Sequence, residues 1–257
     1  MSVNSSHLPS TLPARLGWAL LNALQCAFTL LWTAFGIVLA FVVLLLCGGR
    51  RHWPLRMASR LWAPGLLGGA GARLQVEGID GIDFSRPYIV VANHQSMIDI
   101  CALFRAIPVP LRFVMKRELL AVPFIGQYAR AMGMVFIDRD QARRAARSLD
   151  EAGRLFAQGH SICAFPEGTR SLDGRVRSFK GGVFRLAIET GVPILPVAIM
   201  GSGAILPSSG FRVRPGTIRL RVGQPIDTTQ LDMGGRRGLA EHSRQAVLEL
   251  LGAAPIR

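Results

Sequence analysis

Between Arg15 and Arg50 the chain runs 34 residues without a formal charge: LGWALLNALQCAFTLLWTAFGIVLAFVVLLLCGG. No other feature limits the fold as strongly. At about 1.5 Å per residue, one helix over this run would be roughly 50 Å long. A bilayer core is about 30 Å thick and is crossed by about 20 apolar residues. The run therefore predicts a hydrophobic helix over 16–47 that either spans once or bends into a monotopic hairpin near Gly36. Asn22, Gln25, Thr29 and Thr33 make its first half wetter than Ile37–Cys47, which favours insertion of the second half. The run is too long for a cleavable signal peptide, and no small-x-small site followed by a polar start is evident. Buried core helices rarely run this long without a charge.

Charge is unevenly placed around the run. No Asp or Glu precedes Glu77, and the first 76 residues carry six Arg. Arg50, Arg51, Arg56 and Arg60 follow the run, whereas only Arg15 precedes it. That bias places the following segment, and the catalytic part with it, on the cytoplasmic side of the inner membrane. The stretch from about 52 to 67 mixes Arg with Trp53, Leu55, Met57, Leu61 and Trp62. It reads as an amphipathic helix in the headgroup layer; the plainer alternative is a helix docked on the following domain. Residues 1–70 thus form an N-terminal membrane-attachment region, and 71–257 a separate catalytic domain.

The whole chain of 257 residues carries +14, is half hydrophobic and only 18% charged. Disorder is excluded, and anionic partners are implied: nucleic acid, a membrane surface or a phosphorylated substrate. Nucleic acid fits poorly. The basic residues are not interleaved with aromatics, and no nucleic-acid motif is visible. Four Cys, at 26, 47, 101 and 163, have neither zinc nor disulfide-framework spacing; no metal and no cofactor is expected.

From about residue 71, short apolar runs alternate with helical patterns. Strands are predicted at Arg73–Glu77, Tyr88–Ala92, Arg112–Met115, Met134–Ile137, Ser161–Phe165, Ile194–Ile199 and Thr217–Val222. Helices are predicted at Met97–Arg105, Ile125–Met132, Gln141–Gln158, Gly181–Thr190 and Arg237–Leu251. This alternation is that of an α/β domain, a mostly parallel or mixed seven-stranded sheet flanked by helices. Reactive groups in such sheets sit in loops at the carboxyl ends of strands.

One such loop reads Asn93-His94-Gln95-Ser96-Met97-Ile98-Asp99. On one continuous helix His94 and Asp99 would diverge by about 140°. With His94 in a turn and Asp99 in the first helical turn they can meet. Asp99 then holds one imidazole nitrogen and leaves the other as a base. Ser96-x-x-Asp99 equally fits a capping box. A second loop reads Pro166-Glu167-Gly168-Thr169-Arg170-Ser171 and runs on to Phe179-Lys180-Gly181-Gly182. Its glycines, hydroxyls and cations make a candidate oxyanion cradle, in which Arg170 can fork two oxygens and Lys180 adds a point charge. It is not a Walker A loop. Only two of the 30 basic residues are Lys, Lys116 and Lys180, and both fall in candidate phosphate loops.

Four blocks in order now resemble the glycerolipid acyltransferase family, the one that contains bacterial 1-acylglycerol-3-phosphate acyltransferases. They are Asn93-His94-Gln95-Ser96 to Asp99, Lys116 through Gly126 to Ile137-Asp138-Arg139, Phe165 to Ser171, and Val192-Pro193-Ile194-Leu195-Pro196-Val197. The resemblance covers roughly 70–225. It implies direct acyl transfer from an acyl thioester, acyl-CoA or acyl carrier protein, to the free sn-2 hydroxyl of lysophosphatidic acid, giving phosphatidic acid for phospholipid biosynthesis among membrane lipids. His94 would be the base and Asp99 its orienting partner. Arg170 would bind the acceptor phosphate, with Lys116 contributing, and Lys180 is the further candidate. Glu167 is also required in the family. From its chemistry it is expected to order the loop through backbone N–H groups, since a carboxylate should not face a phosphate. Backbone donors around Gly168, Thr169 or Gly181 could hold the tetrahedral oxyanion. Two rivals remain: an acyltransferase for another lysolipid such as lyso-ornithine lipid, and a non-catalytic membrane lipid-binding protein.

Overall fold

The computed structural model describes residues 12–137 and 142–252. Its sheet has seven strands: β1 (Ala72–Glu77), β2 (Ile89–Ala92), β3 (Leu111–Lys116), β4 (Val135–Ile137), β5 (Ser161–Ala164), β6 (Ile194–Met200) and β7 (Gly216–Val222). Their spatial order is β1-β7-β6-β2-β5-β3-β4. Only β6 and β7 pair antiparallel, so β1 and β7 run against the other five. All seven expected strands are present, with ends shifted by no more than one residue.

The burial pattern follows the sequence. β2 (IVVA) and β5 (SICA) are buried at every residue, as a strand covered on both faces must be. β1 alternates, with every second residue exposed, because one face of this edge meets water. Helices α4 (Ile98–Ala106), α5 (Ile125–Met132), α6 (Ala142–Ala157), α7 (Gly182–Thr190) and α9 (Arg236–Leu250) lie where the periodicity places them. A short α8 (Ser202–Ile205) has no periodic signal to announce it. Two apolar clusters form the core. One, around Val90, Leu103 and Leu195, reaches toward the N-terminal helices; the other is built on Ile89, Ile162 and Phe184.

The N-terminal region differs from expectation in one respect. α1 (Leu12–Leu46) is one unbroken helix, so the bend at Gly36 does not occur. Gly36 is instead a contact point: a Cβ there would stand 2.8 Å from Cδ1 of Trp62. The chain reverses after α1, at Gly48 and Gly49, both with positive φ. It then returns along α1 as α2 (His52–Met57), a π-helical stretch (Ala58–Trp62) and α3 (Ala63–Gly69). Indoles and glycines close this hairpin. Trp32 Nε1 donates to the Trp62 carbonyl at 3.1 Å, and Trp62 Nε1 to Thr33 Oγ1 at 3.4 Å. Gly65 lies against the Trp32 ring and Gly69 against Phe28.

The returning segment is the docked helix of the two alternatives: Leu55, Ala58, Ala63 and Leu67 are buried, although Trp53 and Leu61 remain exposed. Along α1 only Gly36 and Ala40 are buried, while Leu12, Leu16, Leu30, Leu31, Leu45 and Leu46 are each more than 60% exposed. α1 is long and apolar enough to cross a membrane.

The hairpin makes a prediction. A side chain at Gly65 has no room beside the rigid Trp32 indole. Gly65→Val should therefore cost about 1–3 kcal/mol and release α1. A lowered thermal midpoint with faster proteolysis within 12–46 would report it; an unchanged midpoint would show that the two segments are not packed.

Candidate active site

β2 lies in the middle of the sheet, between β6 and β5, and all three run parallel. Their carboxyl ends therefore bring three loops together. Asn93, the residue after β2, is buried and fixes the first loop to β6: Nδ2 donates to the Ile199 carbonyl at 2.9 Å, and Oδ1 accepts from Ile199 N–H at 2.8 Å. The next residue, His94, is thereby held at the sheet edge. Its ring stacks on Phe165, which follows β5, with centroids 3.9 Å apart and planes 12° from parallel.

His94 Nδ1 lies 2.8 Å from Asp99 Oδ2. The same oxygen accepts from Gln95 N–H and Ser96 N–H, each at 2.8 Å. The base-partner geometry and the helix-capping geometry are thus one structure: Asp99 is fully buried in the first turn of α4, and Ser96 Oγ accepts from Ile98 N–H. Three donors at one oxygen leave little freedom to the carboxylate. They also hold the imidazole with Nδ1 inward and Nε2 directed away from Asp99.

Glu167 joins the second loop to the first. It is 2% exposed; Oε1 accepts from His94 N–H at 2.8 Å and Oε2 from Arg177 N–H at 2.9 Å. Burial pushes its carboxyl above the usual range, against the pull of these two backbone bonds and of the cationic neighbours. Ser171 N–H donates to the His94 carbonyl at 2.7 Å, and Lys180 N–H to the Pro166 carbonyl at 2.9 Å. The loop after α8 completes the frame: Leu206 accepts from Ser96 Oγ at 2.6 Å, and Ser208 Oγ donates to the Ser171 carbonyl at 3.2 Å. His94 consequently has its backbone N–H, its carbonyl and its ring all fixed.

The expected cations share this edge. Arg170 is half-buried and directly precedes Ser171, the residue bonded to His94. Lys180 is exposed beside Gly181. Lys116 ends β3, two strands from β2, which at about 4.8 Å per strand is roughly 10 Å away. Asp138 and Arg139 of the same block lie outside the described residues. Sequence reasoning missed Arg236 at the start of α9, whose guanidinium lies against Gly181, with Nε 3.2 Å from where a Cβ would be.

One expectation needs correction. Gly168 was a candidate oxyanion donor, but its N–H closes a turn onto the Phe165 carbonyl at 3.0 Å. Its φ of +75° makes that turn a glycine position. The N–H groups of Thr169, Arg170 and Gly181 donate to no described residue and remain as candidate donors. Among the described residues no cluster of His, Cys, Asp and Glu could hold a metal ion. A cavity of about 900 Å³ lies between Pro196, Ile226 and Leu239 and is not lined by His94.

An imidazole held by a buried carboxylate beside a loop that carries Arg170 invites comparison with known proteins. A family model described as Acyltransferase matches residues 73–200. The 1-acyl-sn-glycerol-3-phosphate acyltransferase of Pseudomonas aeruginosa is 34% identical over 178 residues, which is 69% of this chain and 67% of that protein. This chain belongs to the acyltransferase family. The chloroplastic 1-acyl-sn-glycerol-3-phosphate acyltransferase of Arabidopsis thaliana is 34% identical over 163 residues, 63% of this chain and 46% of that one. The chain thus spans about half the length of the plant relatives it matches. The crystal structure of the 1-acyl-sn-glycerophosphate acyltransferase PlsC from Thermotoga maritima superposes with a TM-score of 0.72 at 28% identity, covering 95% of this chain and 99% of that one. The likeness therefore includes the N-terminal helices as well as the acyltransferase sheet.

Proposed function

We propose that this acyltransferase moves an acyl group from an acyl thioester to the free sn-2 hydroxyl of lysophosphatidic acid, giving phosphatidic acid. The observation that carries the reading is the 2.8 Å contact between His94 Nδ1 and the buried Asp99 carboxylate. Asp99 keeps the proton on Nδ1, so Nε2 is the basic nitrogen. His94 Nε2 takes the hydroxyl proton as that oxygen attacks the thioester carbonyl. A C–O bond forms and the carbonyl oxygen becomes an oxyanion, for which the N–H groups of Thr169, Arg170 and Gly181 are candidate donors. Collapse breaks the C–S bond, and the departing thiolate takes the proton from His94. Asp99 offsets the charge on the imidazolium in between. Glu167 keeps the His94 turn and the cationic loop in register.

Arg170, with Lys116 and Lys180, is the reading's phosphate site; a guanidinium fork suits two phosphate oxygens. The thioester is acyl-CoA or acyl carrier protein, and the chemistry calls for no further cofactor.

Membrane attachment belongs to the same reading. One flank of α1 is occupied from Asn22, which accepts from Val213 N–H at 2.8 Å, to Gly36 at Trp62 and Ala40 in the core. A perpendicular span needs about 20 residues free on all sides, and α1 lacks them while docked. In this reading it lies along the surface with its bare apolar flank in one leaflet, and the Arg residues after it favour the anionic cytoplasmic leaflet. Both lipids can then stay in the bilayer while the thioester arrives from water.

The test is turnover by the purified protein of labelled acyl-CoA and acyl carrier protein with lysophosphatidic acid or lyso-ornithine lipid. Phosphatidic acid is the expected product; its absence with both donors overturns the reading. Cys163 supplies a control. It lies fully buried within β5, and burial pushes its thiol well above the usual range. A thiol so placed is inert, so Cys163→Ala should keep activity within about threefold; loss to background would point to an acyl-enzyme.

A further inference from the structure

The opposite edge of the sheet carries a cluster that acyl transfer does not use. Arg112 is the second residue of β3, and His160 immediately precedes β5, the strand paired with it. Both stand at amino ends of strands, whereas His94 and Glu167 follow carboxyl ends. The reversal after α1 brings Arg50, Arg51 and His52 to the same place. With Gln158 these residues line a cavity of about 370 Å³, to which no carboxylate contributes among the described residues.

Arg112 is the anomaly. It is 2% exposed, and its Nε and Nη1 have no hydrogen-bond partner. A buried guanidinium is ordinarily paired with a carboxylate or carbonyls, because leaving its donors empty is costly. Its neighbours make matters worse. Burial and Arg51 push Arg112 down to about 10, and burial, Arg112 and His52 hold His160 down to about 4. Among the described residues every charged or titratable group lining the cavity is basic, so an anion would satisfy the empty donors and relieve the mutual repulsion together.

We propose that this cavity is a second phosphate-binding site, separate from the His94 face, for a phosphate-bearing ligand. A guanidinium that lines a cavity and has unmet donors suits a tetrahedral oxyanion, and Gln158 with the two imidazoles supplies further polar contacts. The volume exceeds what one phosphate needs and leaves room for a glycerol-sized substituent. Two sources share this chemistry: a lipid headgroup and a soluble phosphate ester. The rim follows directly on Leu45 and Leu46, 79% and 81% exposed, at the end of the apolar helix. A headgroup held by Arg112 would have that apolar surface beside it for its chains.

The experiment is calorimetric titration of the full chain in neutral detergent with dioctanoyl phosphatidic acid, dioctanoyl phosphatidylcholine, glycerol 3-phosphate and inorganic phosphate. All measurements use the Arg170→Gln variant, so that binding at the catalytic edge is weakened throughout. Adding Arg112→Met is expected to lower affinity for dioctanoyl phosphatidic acid at least tenfold, with no phosphatidylcholine binding in either protein. If Arg112→Met does not fold, Arg51→Gln at the exposed rim replaces it, with a loss of at least threefold expected. Preference for the dioctanoyl lipid over glycerol 3-phosphate by tenfold or more assigns the site to a headgroup; equal, Arg112-dependent affinities assign it to soluble phosphate. Either result supports the site. Affinities unchanged by Arg112→Met and by Arg51→Gln overturn it and leave Arg112 a structural guanidinium.

Discussion

His94→Ala should lower the acyl-transfer rate about 10²–10⁴-fold, the usual contribution of a positioned general base, while leaving the fold intact. The two halves of this expectation come from the same contacts. Nε2 is the only ring nitrogen left to the substrate, because Nδ1 is engaged by Asp99 at 2.8 Å. Without it a lysolipid hydroxyl must give its proton to water, and among the described residues the nearby carboxylate, Glu167, is occupied by two peptide N–H groups. Stability should change little, since Asp99 Oδ2 keeps its bonds from Gln95 and Ser96 N–H. The acceptor's KM should also hold, because the proposed phosphate contacts come from Arg170 and the two lysines. Single-turnover rates with the thermal midpoint and KM would separate these effects. A variant that keeps more than about a tenth of the rate would remove His94 from the chemistry.

How far the sequence could be read depends on what hydropathy encodes. β2 and β5 are short apolar runs buried on both faces, so their existence was legible, while their place in the middle of the sheet appears only in the structure. The reversal of β7 against β6 was not, because strand direction is set by the loop after Met200 and leaves no periodic trace. His94 and Asp99 were readable as a pair only on the condition that a turn precedes the helix, and Asn93, bonded twice to Ile199, supplies that turn. A backbone bond is invisible in a residue list, which is why Gly168 was counted among the oxyanion donors while its N–H is bound to Phe165. Gly36 left a bend open as one of two alternatives, since glycine weakens helices; its place in the fold is against the Trp62 ring. Arg112 was hidden by its strand: nothing in Leu-Arg-Phe-Val-Met-Lys marks which residue is enclosed without a partner.

Glu167→Gln is expected to reduce kcat/KM about 10²-fold and to lower the thermal midpoint, although it changes one oxygen to nitrogen. The carboxylate accepts at both ends, from His94 N–H and from Arg177 N–H. An amide accepts at one end only, so its NH2 must face a peptide N–H, whichever way it is turned. The pair of donors pushed apart is part-buried, and an unmet N–H costs up to about 1–3 kcal/mol when fully buried. The cost falls on the joint between the His94 turn and the Arg170 loop, where a displacement of about 1 Å is enough to cost about 10²-fold in rate. A pH signature separates this from simple unfolding. Burial raises the folded-state pKa of Glu167 above its ordinary 4.5. In the interval between these values the folded chain binds more protons than the unfolded one, so this group's contribution to stability falls as pH rises. Gln cannot titrate, and the variant should lose that component of the slope. Chemical denaturation across this interval, with activity measured alongside, decides it. Full activity with an unchanged slope would mean that the Glu167 carboxylate does not join the two loops.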